Sequence, residues 1–424
     1  MTNGRKLIQI FIGHLSGLFL ILASASSGAE ALYSWIQYVP DGMEARVITN
    51  EGTCPVVLAD GQKLQMSQRS NPGEQYPIFV CALLLQKVTG QIEIEGKILP
   101  LAKSLPQRIL IIGDTGCRLK VDRFQACNDP VEWPFRTGAA FVANLKPDLI
   151  LHVGDFHYRE TPCPEGNTGC AGSPYGDSWA VWEADFFAPL GHLLTAAPWV
   201  FVRGNHEECE RGGRGWARIL DPYAWSSDTG CIGPGEPYLV DLGGIKLAVV
   251  DVSTADEEKA NTEQAARFKS EYASVAKSAS GSPVWIAQHR PIWALEETKP
   301  QFLGDNKTLA LAARSGLSDN IQTILSGHHH VLEVITYDEN YPVQTLSGNG
   351  GDTLATGVPE TSDGFVINGV KVKKGIAKSG VFGYSLLERA DKAPTSPWVF
   401  SGFDYQGNLL LKCTLKNRDA ICGQ

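Results

Sequence analysis

Six short apolar runs punctuate the middle of the chain: RILIIG, LILHVG, WVFVRG, KLAVVD, VWIAQH and QTILSG. Each is too short for a helix and lacks the polar alternation of a half-exposed strand. Each therefore reads as a strand buried on both faces. Between them lie stretches with helical spacing, at 135–145, 178–194 and Thr262–Ser278. The last has Ala265, Phe268, Tyr272 and Val275 three and four residues apart. Strands alternating with helices predict an α/β fold: a layered β-sheet sandwich flanked by helices. At 424 residues the chain has room for such a domain and a smaller attachment. Residues 33–104 supply the attachment, with strand-like runs such as EARVITN and YPIFVCALLLQ separated by turns. They read as a small N-terminal β domain or as an extension of the main sheet, with the main domain spanning 105–424.

Five of the six strands run into side chains that can bind a metal. RILIIG leads to Asp114, and LILHVG to Asp155 with Tyr158 three residues on. WVFVRG leads to Asn205 and His206, VWIAQH ends in His289, and QTILSG leads to His328, His329 and His330. In α/β sheets, ligands bind just beyond the carboxyl ends of the strands. Any one of these stretches alone has a bland reading: a turn, a helix cap, a solvated histidine run. Five in series point to one site where oxygen and nitrogen donors converge.

The series Asp114-Thr-Gly116, Gly154-Asp-Phe-His-Tyr158, Gly204-Asn-His-Glu207, Ile286-Ala-Gln-His289 and Gly327-His-His-His330 resembles the calcineurin-type metallophosphoesterases, in particular their purple acid phosphatase branch. Gly116 stands where most of that superfamily carry a histidine, and Tyr158 is the replacement expected in the purple branch. The resemblance implies two metal ions. One is held by Asp114, Tyr158 and His330, the other by Asn205, His289 and His328, with Asp155 bridging. Carboxylate plus phenolate suits Fe(III), and amide plus imidazoles suits divalent Fe, Zn or Mn. His328 and His330, two apart on an extended segment, point to one side, and His329 points away.

The implied activity is hydrolysis of phosphomonoesters, with hydroxide generated at the cation pair attacking phosphorus. His206 is the implied proton donor to the leaving oxygen. Glu207 is expected to hold the His206 tautomer. His157 stands as a candidate substrate contact, and Arg290 reads equally as a phosphate contact or a structural ion pair. A diesterase or nucleotide hydrolase fits the same metals. A non-catalytic exported binding protein would lack a bridge or a ligand, and none is missing.

The N-terminus carries Arg5 and Lys6 before a long apolar run that ends in Ala23-Ser24-Ala25, with a second small-residue site at Ala29-Glu30-Ala31. It reads as a secretory signal peptide over 1–31, with an uncleaved anchor or a buried helix as alternatives. The expected location is secreted or periplasmic, with no membrane contact after cleavage. Ten cysteines fit that compartment, and five sequence-near disulfides are expected: 54–81, 117–127, 163–170, 209–231 and 413–422. No C-x-x-C supports a zinc cluster instead. The net charge of −9 disfavours nucleic acid as a stable partner, which leaves a small phosphoester as the expected one.

Overall fold

The computed structural model describes residues 1–2, 31–86, 90–225, 230–296, 303–314 and 316–423. The proposed signal peptide falls almost wholly outside the described residues. Among those described, no helix is long and apolar enough to cross a membrane.

All six apolar runs form strands, and they divide between two sheets. Arg108–Ile112, Leu149–His152 and Trp199–Phe201 lie side by side and parallel in a sheet with eleven described strands. Lys246–Val249, Val284–Ala287 and Ile321–Ser326 do the same in a sheet with eight. The sheets pack face to face. Ile109, Leu151 and Val200 of the first share an apolar cluster with Leu247, Trp285 and Leu325 of the second. Burial on this face and against the flanking helices is why the runs carry no polar alternation. Each sheet's three parallel strands turn their carboxyl ends to the same rim of the sandwich.

Helix Thr262–Ser278 has the expected limits, and Asn261 caps it by accepting hydrogen bonds from the Glu263 and Gln264 amides. The stretch 178–194 is less regular than its pattern suggests. A short helix at Trp179–Trp182 widens into a π turn at Glu183–Phe187, and a 3-10 turn follows at Gly191–Thr195. Pro189 has no N–H to give, so the regular ladder cannot continue through it.

The N-terminal β region crosses the boundary expected near residue 104. Strand Ala31–Val39 pairs parallel to Trp199–Phe201 through Gln37 and Trp199, so it extends the eleven-stranded sheet. Buried Arg46 ties the region down further by donating to the carbonyls of Ile219 and Asp221. The four short strands Val56–Ala59, Gln62–Gln65, Ile92–Ile94 and Lys97–Leu99 form a sheet of their own beside it. The five disulfides connect the expected partners, Cys54–Cys81, Cys117–Cys127, Cys163–Cys170, Cys209–Cys231 and Cys413–Cys422.

Candidate metal centre

Asp114, Asp155 and His328 follow their strands with left-handed backbone, at φ of 55°, 59° and 73°. Non-glycine residues seldom take that conformation, and it persists where the surroundings enforce it. Here it turns each side chain back over the end of its own sheet. The loops can come this close only because glycines precede the donors. A Cβ at position 204 would lie 2.8 Å from Asp155 Cγ.

All seven candidate ligands converge. The Tyr158 hydroxyl lies 3.0 Å from Asp114 Oδ1 and 3.2 Å from His330 Nε2. His289 Nε2 lies 3.1 Å from Asn205 Oδ1 and 3.2 Å from His328 Nδ1. Between these two groups stands Asp155. Its Oδ2 is 2.8 Å from the Tyr158 hydroxyl and 3.1 Å from His289 Nε2, so one oxygen faces both groups. Spacings near 3 Å match the edges of a coordination shell whose bonds are about 2.0–2.2 Å long.

The imidazole tautomers sharpen the reading. His289 Nδ1 sits 2.7 Å from the Val153 carbonyl and His330 Nδ1 2.6 Å from the Thr353 carbonyl. A carbonyl only accepts, so in each ring Nδ1 carries the proton and Nε2 offers a lone pair inward. His328 is anchored the other way round. Its Nε2 lies 2.6 Å from Glu257 Oε1, which leaves Nδ1 facing the centre. Lone pairs of three rings, two carboxylates and an amide oxygen thus meet at one buried point. Such an array repels itself unless positive charge sits within it, and two cations fit it. Burial opposes a charge on His289, yet the facing Asp155 carboxylate raises that ring to about 9, so the carboxylates here favour a positive charge beside them. Burial, Asp114 and Asp155 push the Tyr158 phenol well above its usual value.

A family model for calcineurin-like phosphoesterases matches residues 107–332. The chain is a calcineurin-like phosphoesterase. Its structure is similar to the purple acid phosphatase PPD1 from yellow lupin (Lupinus luteus) seeds, at 13% identity and TM-score 0.56, covering 90% of this chain and 73% of that one. It is also similar to PhoD, at 11% identity and TM-score 0.55, covering 94% and 93%. These likenesses concern the fold. No curated protein matches in sequence.

Tyr158 fills the space that position 116 would need. A Cβ on Gly116 would meet the Phe156 carbonyl at 2.7 Å and the Tyr158 ring at 2.9 Å. A side chain at position 116 and the tyrosine at position 158 therefore exclude one another in this phosphoesterase. His206 lies against the Tyr158 ring, centroids 3.8 Å apart, and faces the cleft. The carboxylate on its Nδ1 is Glu160, at 2.8 Å, and this corrects the role expected of Glu207. Glu207 instead accepts from the backbone amides of Gly204, Asp155, Phe156 and His157. It clamps the loop that carries Asp155, and burial raises it to about 8.

His157 turns away from the metal centre, with Nε2 on the Gly176 carbonyl at 3.0 Å. Arg290 takes the structural alternative. It pairs with Glu257 at 2.5 Å and donates to the Ser253 carbonyl. His329 points away, as expected, onto the Leu295 carbonyl. Glu160, Glu257 and the pair Arg118–Asp352 were not visible as site residues. Arg118 grips Asp352 with its Nε at 2.9 and 3.0 Å from the two carboxylate oxygens, and its guanidinium lies over the Tyr158 ring. Above the centre opens a cleft of about 930 Å3.

Proposed function

We propose that this chain is an exported phosphomonoesterase of the purple acid phosphatase type. It would hold Fe(III) with Asp114, Tyr158 and His330, and divalent Fe, Zn or Mn with Asn205, His289 and His328. The observation that carries the reading is the single Asp155 oxygen set 2.8 and 3.1 Å from the two donor groups. When bound, two cations clamp phosphoryl oxygens and supply a nucleophile from water near neutral pH.

The chain's own residues do the rest. Asp155 fixes the spacing of the two groups, and Glu207 fixes Asp155. His206, held at Nδ1 by Glu160 and the His157 carbonyl, lines the cleft with its other nitrogen 2.6 Å from Arg211 Nη2, and there it would meet the leaving oxygen beside that guanidinium. Burial lowers this ring to about 4, against the pull of Asp155 and Glu160. A phosphate dianion in the cleft adds negative charge and raises the proton affinity of the ring. The five disulfides support export to an oxidising compartment.

The test is metal analysis of purified protein with paired assays on an aryl phosphate and a bis-aryl phosphate. Two metals per chain and preference for the monoester are expected. Asp155→Ala should lose both metal and turnover. Preference for the diester would move the reading to the diesterase alternative, for which the wide cleft has room.

A further inference from the structure

A two-stranded hairpin, Leu119–Lys120 paired with Arg123–Phe124, stands at the rim of the cleft. Its base is closed by the Cys117–Cys127 disulfide. Its root is joined to the second ligand loop. The Leu119 amide donates to the Tyr158 carbonyl, and the Leu119 carbonyl accepts from the Glu160 and Thr161 amides. The hairpin is thus held in fixed position relative to Tyr158. Its tip is open to solvent, with Val121 79% exposed.

Lys120 and Arg123 are register partners on this hairpin, and both line the cleft. Like charges directly opposite one another on neighbouring strands repel. The other cations of this wall are neutralised, Arg118 by Asp352 and Arg211 by Glu160. Among the described residues, Lys120 and Arg123 have no carboxylate partner, and Asp122 in the turn between them pairs with neither. A rigid arm therefore carries two unmatched cations into the same cleft as the metal centre.

We propose that Lys120 and Arg123 form a second anion subsite, and that the preferred substrates are phosphomonoesters whose leaving group carries another phosphate. The inference rests on the monoesterase reading and narrows it. The metal centre takes the scissile phosphate. The hairpin takes the distal one, by paired charge-assisted hydrogen bonds.

The experiment compares wild type with the double variant Lys120→Gln/Arg123→Gln on fructose 1,6-bisphosphate and on fructose 6-phosphate. The ratio of kcat/KM, bisphosphate over monophosphate, should fall about 10–100-fold, the worth of one or two charged hydrogen bonds. An unchanged ratio, or equal loss on both sugars, would overturn the subsite. The variant should keep or gain thermal stability, because a repulsion is removed. A drop of several degrees would show the pair to be structural and would also overturn it. Should wild type turn over neither sugar, the monoesterase reading fails separately. The subsite is then read by calorimetric titration of the full-length protein with fructose 1,6-bisphosphate. Weaker binding by the variant supports it, and equal binding overturns it.

Discussion

Replacing Gly204 with alanine separates the steric demand of the metal centre from its chemistry. The backbone at Gly204 is extended, φ −93° and ψ 175°, so alanine meets no conformational penalty there. Space is the difficulty. The new Cβ would stand 2.8 Å from Asp155 Cγ and closer still to the Asp155 amide and Oδ1, where ordinary contact begins at 3.4 Å. Backbone as well as side chain is in the way, so a change of rotamer cannot relieve the clash. Asp155 must retreat by about 1 Å, and a misplacement of that size at a reacting centre costs about 10²-fold in rate. Gly204→Ala should therefore stay folded by circular dichroism, yet lose about 100-fold in kcat/KM on an aryl phosphate, with reduced bound metal. Gly52→Ala is the control, because a Cβ there meets nothing within 4 Å. Should Gly204→Ala keep its full metal complement and remain within a few-fold of wild-type activity, the role given to Asp155 is wrong.

Two further perturbations give separate readouts. If Tyr158 ligates Fe(III), the purified protein absorbs visible light and Tyr158→Phe bleaches it; a colourless, iron-free and active protein would refute that assignment. Glu333 is fully buried, accepts among the described residues only from the Leu295 amide, and is raised by burial from 4.5 to about 8. Its folded pKa lies above its unfolded one, so its contribution is intact below pH 4.5 and is lost as pH rises through 8. At pH 7 the loss is about 3 kcal/mol at most. Glu333→Gln should remove that dependence, so the two melting curves should diverge between pH 5 and 8; parallel pH profiles would refute it.

What could be read in the sequence was what local pattern encodes. The six apolar runs, the helix Thr262–Ser278 and the seven converging donors each carry a signal within a few residues. The supporting charges do not. Glu257 lies in the acidic run Asp256-Glu257-Glu258, which reads as solvated surface, and only the fold brings it to His328. Glu160 follows the second ligand loop without any spacing rule to mark it. Glu207 sits next to His206 in the chain but turns toward four backbone amides, because the tight turn at Gly204 directs it under the loop. The N-terminal strands could not be assigned to the main sheet, since alternation fixes a strand's faces but not its neighbour.

Asp114, Asp155, Tyr158 and Asn205 hang from one layer of the sandwich, and His289, His328 and His330 from the other. Each proposed triad of donors draws on both layers, so neither layer by itself supplies a complete set. On the proposed ligand assignment, full metal capture would wait until the two layers have docked, and the bound ions would act as rivets across the seam. Occupancy would then report on assembly of the sandwich as much as on readiness for chemistry.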